Sequence, residues 1–339
     1  MRRAIPCLIA SIFAAGAFVV LGDAPPVQTG QDNQNYTPPV RPKGFHARIT
    51  IRTVDEDGNV VPGVAVDAEF PAWNKWKGST DTNGLFVVDG EAGVFEVFWR
   101  VNKEGYYSGR GKFEFQKVAN GSWQPWSPIA TQLVRRIMNP VPMYAKKVAT
   151  KIPKTNTDLG FDFTVGDWVS PYGKGHCVDV IFGYSNRVSG VRDFEGRLAL
   201  TFPNVLDGIC ENSVRFKDSW FTLPRYAPDQ GYATNWFAYI CQTPLKGRHG
   251  EKTDAFLGGN AQKSYFVRVR SKVDENGKLE EAHYAKIVGE IEASGIAGPW
   301  TALAFTYYIN PTPNDRNMEF DPKKNLLQNL TGLEQVHEP

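Results

Sequence analysis

The chain has 339 residues, 42% of them hydrophobic and 13% aromatic, which suits a globular protein of roughly two domains at about 150 residues each. Its formal net charge of +2, with acidic and basic residues interspersed, excludes a polyanion-binding surface read from charge, so no nucleic-acid partner is expected. The content of 32 Gly and 23 Pro, with many Val, Thr, Phe, Tyr and Trp, argues against a helical bundle and for strands joined by tight turns.

At the N-terminus, Arg2 and Arg3 precede an apolar run from Ala4 to Leu21, the order of a signal peptide. Cleavage after Gly22 is expected, because Val20 and Gly22 suit the two positions a signal peptidase reads, whereas a cut after Ala24 leaves Pro25 at the new terminus. A membrane anchor is the competing reading, since the run approaches the length that spans a bilayer. The segment after it is Pro- and Gln-rich rather than basic, so export without a membrane span is favoured, to the periplasm, the cell surface or the medium of a bacterial cell. Cys7 lies too early in the run to be a lipoprotein cysteine.

Residues 23–44 hold little to bury and form an expected flexible spacer. Alternation begins at Phe45, with Ala47, Ile49, Ile51 and Thr53 on one face and Arg48, Thr50 and Arg52 on the other, the pattern of a half-buried strand. Asp55-Glu56-Asp57-Gly58-Asn59 then reads as a hairpin turn. Its two carboxylates invite a calcium reading, but a third oxygen ligand before the glycine and a distant Glu are both missing. Asp274-Glu275-Asn276-Gly277 is expected to be a second hairpin of the same kind.

Further motifs follow at regular intervals: Pro62-Gly63-Val64-x-Val66, Thr80-Asp81-x-x-Gly84-x-Phe86, Gly93-x-Phe95-x-Val97 and Gly105-Tyr106. Here Gly84 supplies a positive φ before a strand, and Asp81 bonds the turn backbone. From Ile49 to Tyr107 this succession resembles carboxypeptidase regulatory-like domains. The resemblance implies a transthyretin-like, seven-stranded β-sandwich and an accessory module without catalysis of its own. The Phe70–Lys77 segment departs from that pattern, being richer in aromatics.

Residues 45–134 are thus assigned to a first sandwich, and 135–157, with Arg135, Arg136, Lys146, Lys147, Lys151 and Lys154, to a basic, Pro-containing connection. In the second half, 158–312, seven segments read as strands, among them Ser264–Val269, Tyr284–Glu290 and Leu303–Ile309. A second β-sandwich or jelly roll buries them. Glu280–Glu292 has a helix as its alternative, and 313–339 is a polar tail that packs locally or dangles. The fold class is all-β.

Familiar catalytic motifs are missing: the chain has no G-x-S-x-G, H-E-x-x-H, P-loop or dinucleotide fingerprint, and no cofactor is expected. His176 beside Cys177 is the one suggestive neighbour pair, but adjacent strand residues point to opposite faces. Asp158, Asp162, Asp167, Asp179 and Glu195 could in principle supply a carboxylate pair. After cleavage three cysteines remain, Cys177, Cys210 and Cys241, compatible with one disulfide of undetermined pairing or with small core residues.

Nine tryptophans are more than two cores commonly need, and Trp73 and Trp76, in an expected loop beside Asn74, Lys75 and Lys77, are the candidates for stacking on a sugar ring. The expected function is an exported, non-enzymatic binding protein with polysaccharide as the favoured ligand. A structural or assembly component that binds another envelope protein is the alternative, and a hydrolase of polysaccharide or peptide comes third.

Overall fold

The computed structural model describes residues 44–190, 193–213, 221, 223–242, 263–294 and 301–339, and the expected leader and spacer lie outside them. Among the described residues there is no helix, and hence none long and apolar enough to cross a membrane. The protein is all-β, as the composition indicates.

The first strands are β1 (Phe45–Val54), β2 (Ala65–Glu69), β3 (Lys75–Ser79), β4 (Leu85–Ala92) and β5 (Glu96–Asn102). They are followed by β6 (Gly109–Glu114), β7 (Lys117–Ala119), β8 (Ser122–Gln124) and β9 (Ile129–Leu133). One sheet runs β4-β1-β8-β7, with β9 also paired to β1, and the facing sheet runs β3-β2-β5-β6. Ala47, Ile49 and Ile51 of β1 are fully buried, as their alternation requires, and pack with Val66, Val97, Trp99 and Val101 of the facing sheet. Full burial of one such side chain stabilises by about 2 kcal/mol. Thr53, also inward, turns its hydroxyl onto the Val61 carbonyl at 2.6 Å.

Three hairpin turns share one construction, at Asp55–Asn59, Asp81–Leu85 and Asp274–Lys278. In each, the Asp main-chain N–H donates to the carbonyl four residues on, at 2.9, 3.0 and 2.9 Å. Its Oδ1 accepts the amides of the second and fourth following residues at 2.8–2.9 Å. The glycine in fourth place donates back to the Asp carbonyl, and its positive φ, +69° at Gly84, admits the left-handed step without steric cost. These carboxylates therefore serve the turn backbone.

The remaining strands are β10 (Val141–Lys151), β11 (Asp158–Asp162), β12 (Asp167–Trp168), β13 (Val180–Gly190), β14 (Asp193–Thr201) and β15 (Gly208–Ser213). After them come β16 (Asn235–Gln242), β17 (Lys263–Val273), β18 (Leu279–Ser294), β19 (Ala302–Ile309) and β20 (Phe320–Asn325). A six-stranded sheet, β15-β17-β18-β19-β10-β20, faces a five-stranded one, β12-β11-β13-β14-β16. Phe161, Phe163, Trp168, Phe182, Phe305 and Tyr307 fill the space between them, with Phe163 stacked on Tyr307 at 4.7 Å.

Two open alternatives are decided and one expectation is revised. The strand reading of Tyr284–Glu290 holds, within β18, and the helical alternative for 280–292 falls. This strand is buried on both faces, Ala285 and Ile287 in one core and Ala282 and Tyr284 in another, so its apolar residues do not alternate cleanly. A register shift between Val288 and Glu292, where Gly289 has φ +82°, further breaks the period. Second, the basic connection contributes β10, an eleven-residue strand paired along Tyr144–Lys151 with β19. Third, the tail does not dangle: with Leu223 and Ala227, its Met318, Phe320 and Val336 are buried on the outer face of the six-stranded sheet.

Candidate functional site

Trp73 and Trp76 lie where the two sheets of the first sandwich meet at one edge. Trp73 follows a tight turn in which Ala72 has φ +61°, and Trp76 is on strand β3, not in a loop. Both are half-buried and pack on the core. A Cβ on Gly93 would stand 2.1 Å from the Trp73 ring, and one on Gly90 would stand 2.8 Å from Trp76. The indoles thus rest on bare backbone of the opposite sheet. Other indole N–H groups are spent on structure: Trp99 donates to Gln132, Trp123 to the Ala92 carbonyl and Trp168 to the Lys151 carbonyl. Trp220 and Trp300 lie outside the described residues. An aromatic ring that sequence reasoning passed over is more accessible: Phe237, on β16, is 62% exposed, with the Arg197 guanidinium 5.3 Å from its centroid.

Of the five candidate carboxylates of the second half, Asp162 and Asp179 converge in a clasp, while Asp167 accepts the Trp168 and Lys174 amides, Glu195 pairs with Arg187 and Asp158 stands exposed at the start of β11. Asp162 accepts the amides of Thr164, Val165, His176 and Cys177 and the Thr164 hydroxyl, at 2.7–3.2 Å. Burial works to raise its carboxyl, but these donors outweigh it and hold it below the ordinary value. Asp179, fully buried, accepts the Phe163 amide and a two-pronged bond from Arg270 at 2.7 and 3.0 Å. Burial pushes its carboxyl up against the pull of that guanidinium. Arg270 itself has φ +56° at a register shift of β17, a strained position for a non-glycine residue. The clasp ties the loop before β13 to β17, and neither carboxylate is left open to a substrate.

Cys177 is exposed at the mouth of this clasp. Burial of its sulfur surroundings raises the thiol above its ordinary value, and Arg270 only partly opposes this. A thiol so shifted is a poor nucleophile at neutral pH. Cys177 and Cys210 are free thiols, so the expected disulfide does not join them; Cys177 sits in the loop before β13 and Cys210 on β15 of the other sheet. The Cys241 side chain lies outside the described residues. Among the described residues, no three His, Cys, Asp or Glu side chains are grouped to hold a metal ion.

Among the described residues, a concentration of buried charge that no motif announces lies between the two sandwiches. Arg225 donates to Glu56 Oε2 and to the Arg136 carbonyl, both at 2.7 Å, and pairs with Glu319. Arg135, expected on a solvated connection, is buried. It donates to the Leu223 carbonyl at 2.5 Å, lies 3.0 Å from Glu56 Oε1, and stands 4.8 Å over the Phe221 ring. Glu319 also accepts the Tyr107 hydroxyl and the amides of Met138 and Asn139, each at 2.9 Å. Burial alone would raise the Glu319 carboxyl; the two amides, Arg225 and Tyr107 outweigh it and keep it low. Two cations and two anions therefore neutralise one another where the first sandwich meets the C-terminal segment.

A small recess of about 90 Å³ opens between β10 and the β11–β12 turn, lined by Lys146, Val148, Thr150, Phe161, Asp167 and Glu334. Lys146 spans it, 2.9 Å from Glu334 and 3.0 Å from the Gly166 carbonyl, and holds the Glu334 carboxyl down to about 2.

No family model and no curated protein matches this chain. Among solved structures, it is similar to the major pilin subunit BcpA of Bacillus cereus at 9% identity, over 78% of this chain and 96% of that one, with a TM-score of 0.23. A protein of Bacteroides fragilis described as membrane-associated and of unknown function gives 10% identity over 79% and 99%, TM-score 0.21. A 3-chlorocatechol 1,2-dioxygenase of Rhodococcus opacus gives 14% identity and a TM-score of 0.23, over 28% of this chain and 60% of the dioxygenase. Such likenesses are too distant to carry an argument about function.

Proposed function

We propose that this protein is an exported, non-enzymatic structural or assembly component of the cell envelope, whose two β-sandwiches act as one stiff unit. The observation that carries this reading is the Glu56–Arg135–Arg225–Glu319 lock. Neighbouring domains move relative to each other unless their contact is made costly to open, and opening this one parts three buried charges, Arg135, Arg225 and Glu319, from their partners. A part that holds a fixed geometry has use for such a junction. Asp162 and Asp179, which a hydrolase could use as a carboxylate pair, are engaged in structure, and the Cys177 thiol is poorly activated, which speaks against the third alternative. The carboxypeptidase regulatory-like resemblance is retained within the proposal as an accessory role for the first sandwich.

Binding of a polysaccharide is the second reading, and Phe237 with Arg197 favours it, because an exposed aromatic face backed by a cation can stack on a sugar ring. Trp73 and Trp76 support it less, since each lends part of its ring to the glycine contacts. Cross-linking of intact cells, with a size measurement of the purified mature protein, tests the structural reading. It predicts export and a discrete adduct with itself or an envelope protein. A strict monomer that yields no adduct, or a chain retained in the cytoplasm, overturns it.

A further inference from the structure

Three Asn-Gly steps occur in the chain, Asn83-Gly84, Asn120-Gly121 and Asn276-Gly277, and the fold treats them differently. In the Asn83 and Asn276 turns, the glycine N–H donates to the carbonyl of Asp81 or Asp274 at 3.0 Å. The asparagine's own amide donates to the same aspartate's Oδ1 at 2.9 Å. Gly84 is also packed, since a Cβ there would meet Val60 at 2.8 Å and the Thr53 carbonyl at 2.9 Å. Asn120-Gly121 instead forms the two-residue turn between β7 and β8, closed by the Ala119–Ser122 pair. Both residues are left-handed, at φ +52° and +74°. Asn120 is exposed, and a Cβ built on Gly121 would meet nothing within 4 Å, as on Gly277; what sets Asn120 apart from both other sites is that the Gly121 N–H has no acceptor among the described residues.

We propose that Asn120 is the site at which the folded protein undergoes spontaneous deamidation and backbone isomerisation. In this reaction the Gly121 nitrogen, giving up its proton, bonds to Cγ of Asn120. The bond from Cγ to the side-chain nitrogen breaks, and ammonia leaves with that proton. Water then opens the five-membered imide at either carbonyl, yielding aspartate or isoaspartate, with no oxidant or cofactor. The attacking nitrogen must be free and the turn able to rotate toward Cγ, and Asn120 meets both conditions. At Asn83 and Asn276 a hydrogen bond on the nucleophile must first break, a factor of about fivefold for one ordinary bond.

The outcome reaches beyond the turn. The Gly121 carbonyl accepts the His46 amide at 3.2 Å, at the start of β1, and Trp123 next to it packs on Phe45 and Phe115. An isoaspartate adds a methylene to the main chain of this two-residue turn, so the Ala119–Ser122 pairing and the His46 bond are displaced together.

The test is peptide mapping of the full chain after incubation at mildly alkaline pH, with a denatured sample in parallel. In the denatured chain the three sites should convert alike; in the folded protein Asn120 should lead by about fivefold or more. Asp274→Ala removes the Oδ1 bonds to the Asn276 and Lys278 amides that hold the turn closed around the Gly277 N–H, so it should speed Asn276 while leaving Asn120 unchanged. If Asn83 or Asn276 keeps pace with Asn120 in the folded protein, or if Asn120 is spared while the denatured chain converts, the proposal fails.

Discussion

Replacing Arg225 by alanine removes the cation shared by Glu56 and Glu319 and the bond to the Arg136 carbonyl. Breaking a buried ion pair from one side costs about 3–5 kcal/mol. Glu319 would keep the Met138 and Asn139 amides and the Tyr107 hydroxyl, so the lower end, about 3 kcal/mol, is expected. With a urea m-value of about 3 kcal/mol/M, that moves the midpoint down by about 1 M. The sign with pH follows from the lowered Glu319 carboxyl. Its contribution is present above the ordinary carboxylate value and lost as pH falls through the lower folded value. Without Arg225 that contribution shrinks, so the difference between wild type and variant should narrow on acidification. Urea unfolding at neutral pH and near pH 4 reads both effects. A difference under about 0.5 kcal/mol, the level of an ordinary surface substitution, or one that widens in acid, would refute the account of the lock.

Lys286 is fully buried, donating to the Met318 carbonyl and to a main-chain oxygen of Pro339 and lying 4.3 Å from the Tyr308 ring centroid. Burial, helped by Arg135, depresses its amine from 10.5 to about 7. Below that value both folded and unfolded chains are protonated; between about 7 and 10.5 only the unfolded chain is, so stability should rise with pH at up to about 1.4 kcal/mol per unit. That slope should be missing from Lys286→Met in urea unfolding across the same window; an unchanged slope would show the amine is not desolvated. Gly93→Ala should destabilise by about 1–3 kcal/mol, read as a lower Tm, because its methyl would strike the Trp73 ring. A Tm unchanged from wild type would place Trp73 elsewhere. Mass mapping under non-reducing conditions should find Cys177 and Cys210 as thiols; a Cys177–Cys210 disulfide would contradict the free thiols.

Much of the first sandwich could be read from the sequence because its strands are buried on one face only. Ala47, Ile49 and Ile51 alternate with Arg48 and Thr50, and Asp81 and Gly84 carry a turn whose chemistry is local. β18 was harder because cores on both sides erase period two, and β10 because Lys146 and Lys147 sit on a strand whose Met143 and Ala145 are fully buried. The lock was not legible at all. Glu56 looks like one more acidic turn residue, and Arg225 and Glu319 have no motif. They are 94 residues apart by number, and the fold brings them together through the packing of the tail. The tryptophans misled for a related reason: flanking lysines suggest a loop, while the glycines that receive the rings, Gly90 and Gly93, stand on and just after another strand.

The most direct test of the structural reading is retention of the leader-free protein on a panel of soluble and insoluble polysaccharides, with Phe237→Ala and the double variant Trp73→Ala/Trp76→Ala alongside. The account predicts that no glycan retains the wild-type protein. Retention on one glycan that is lost in Phe237→Ala, with that variant still folded, would contradict it and establish carbohydrate binding on the five-stranded sheet.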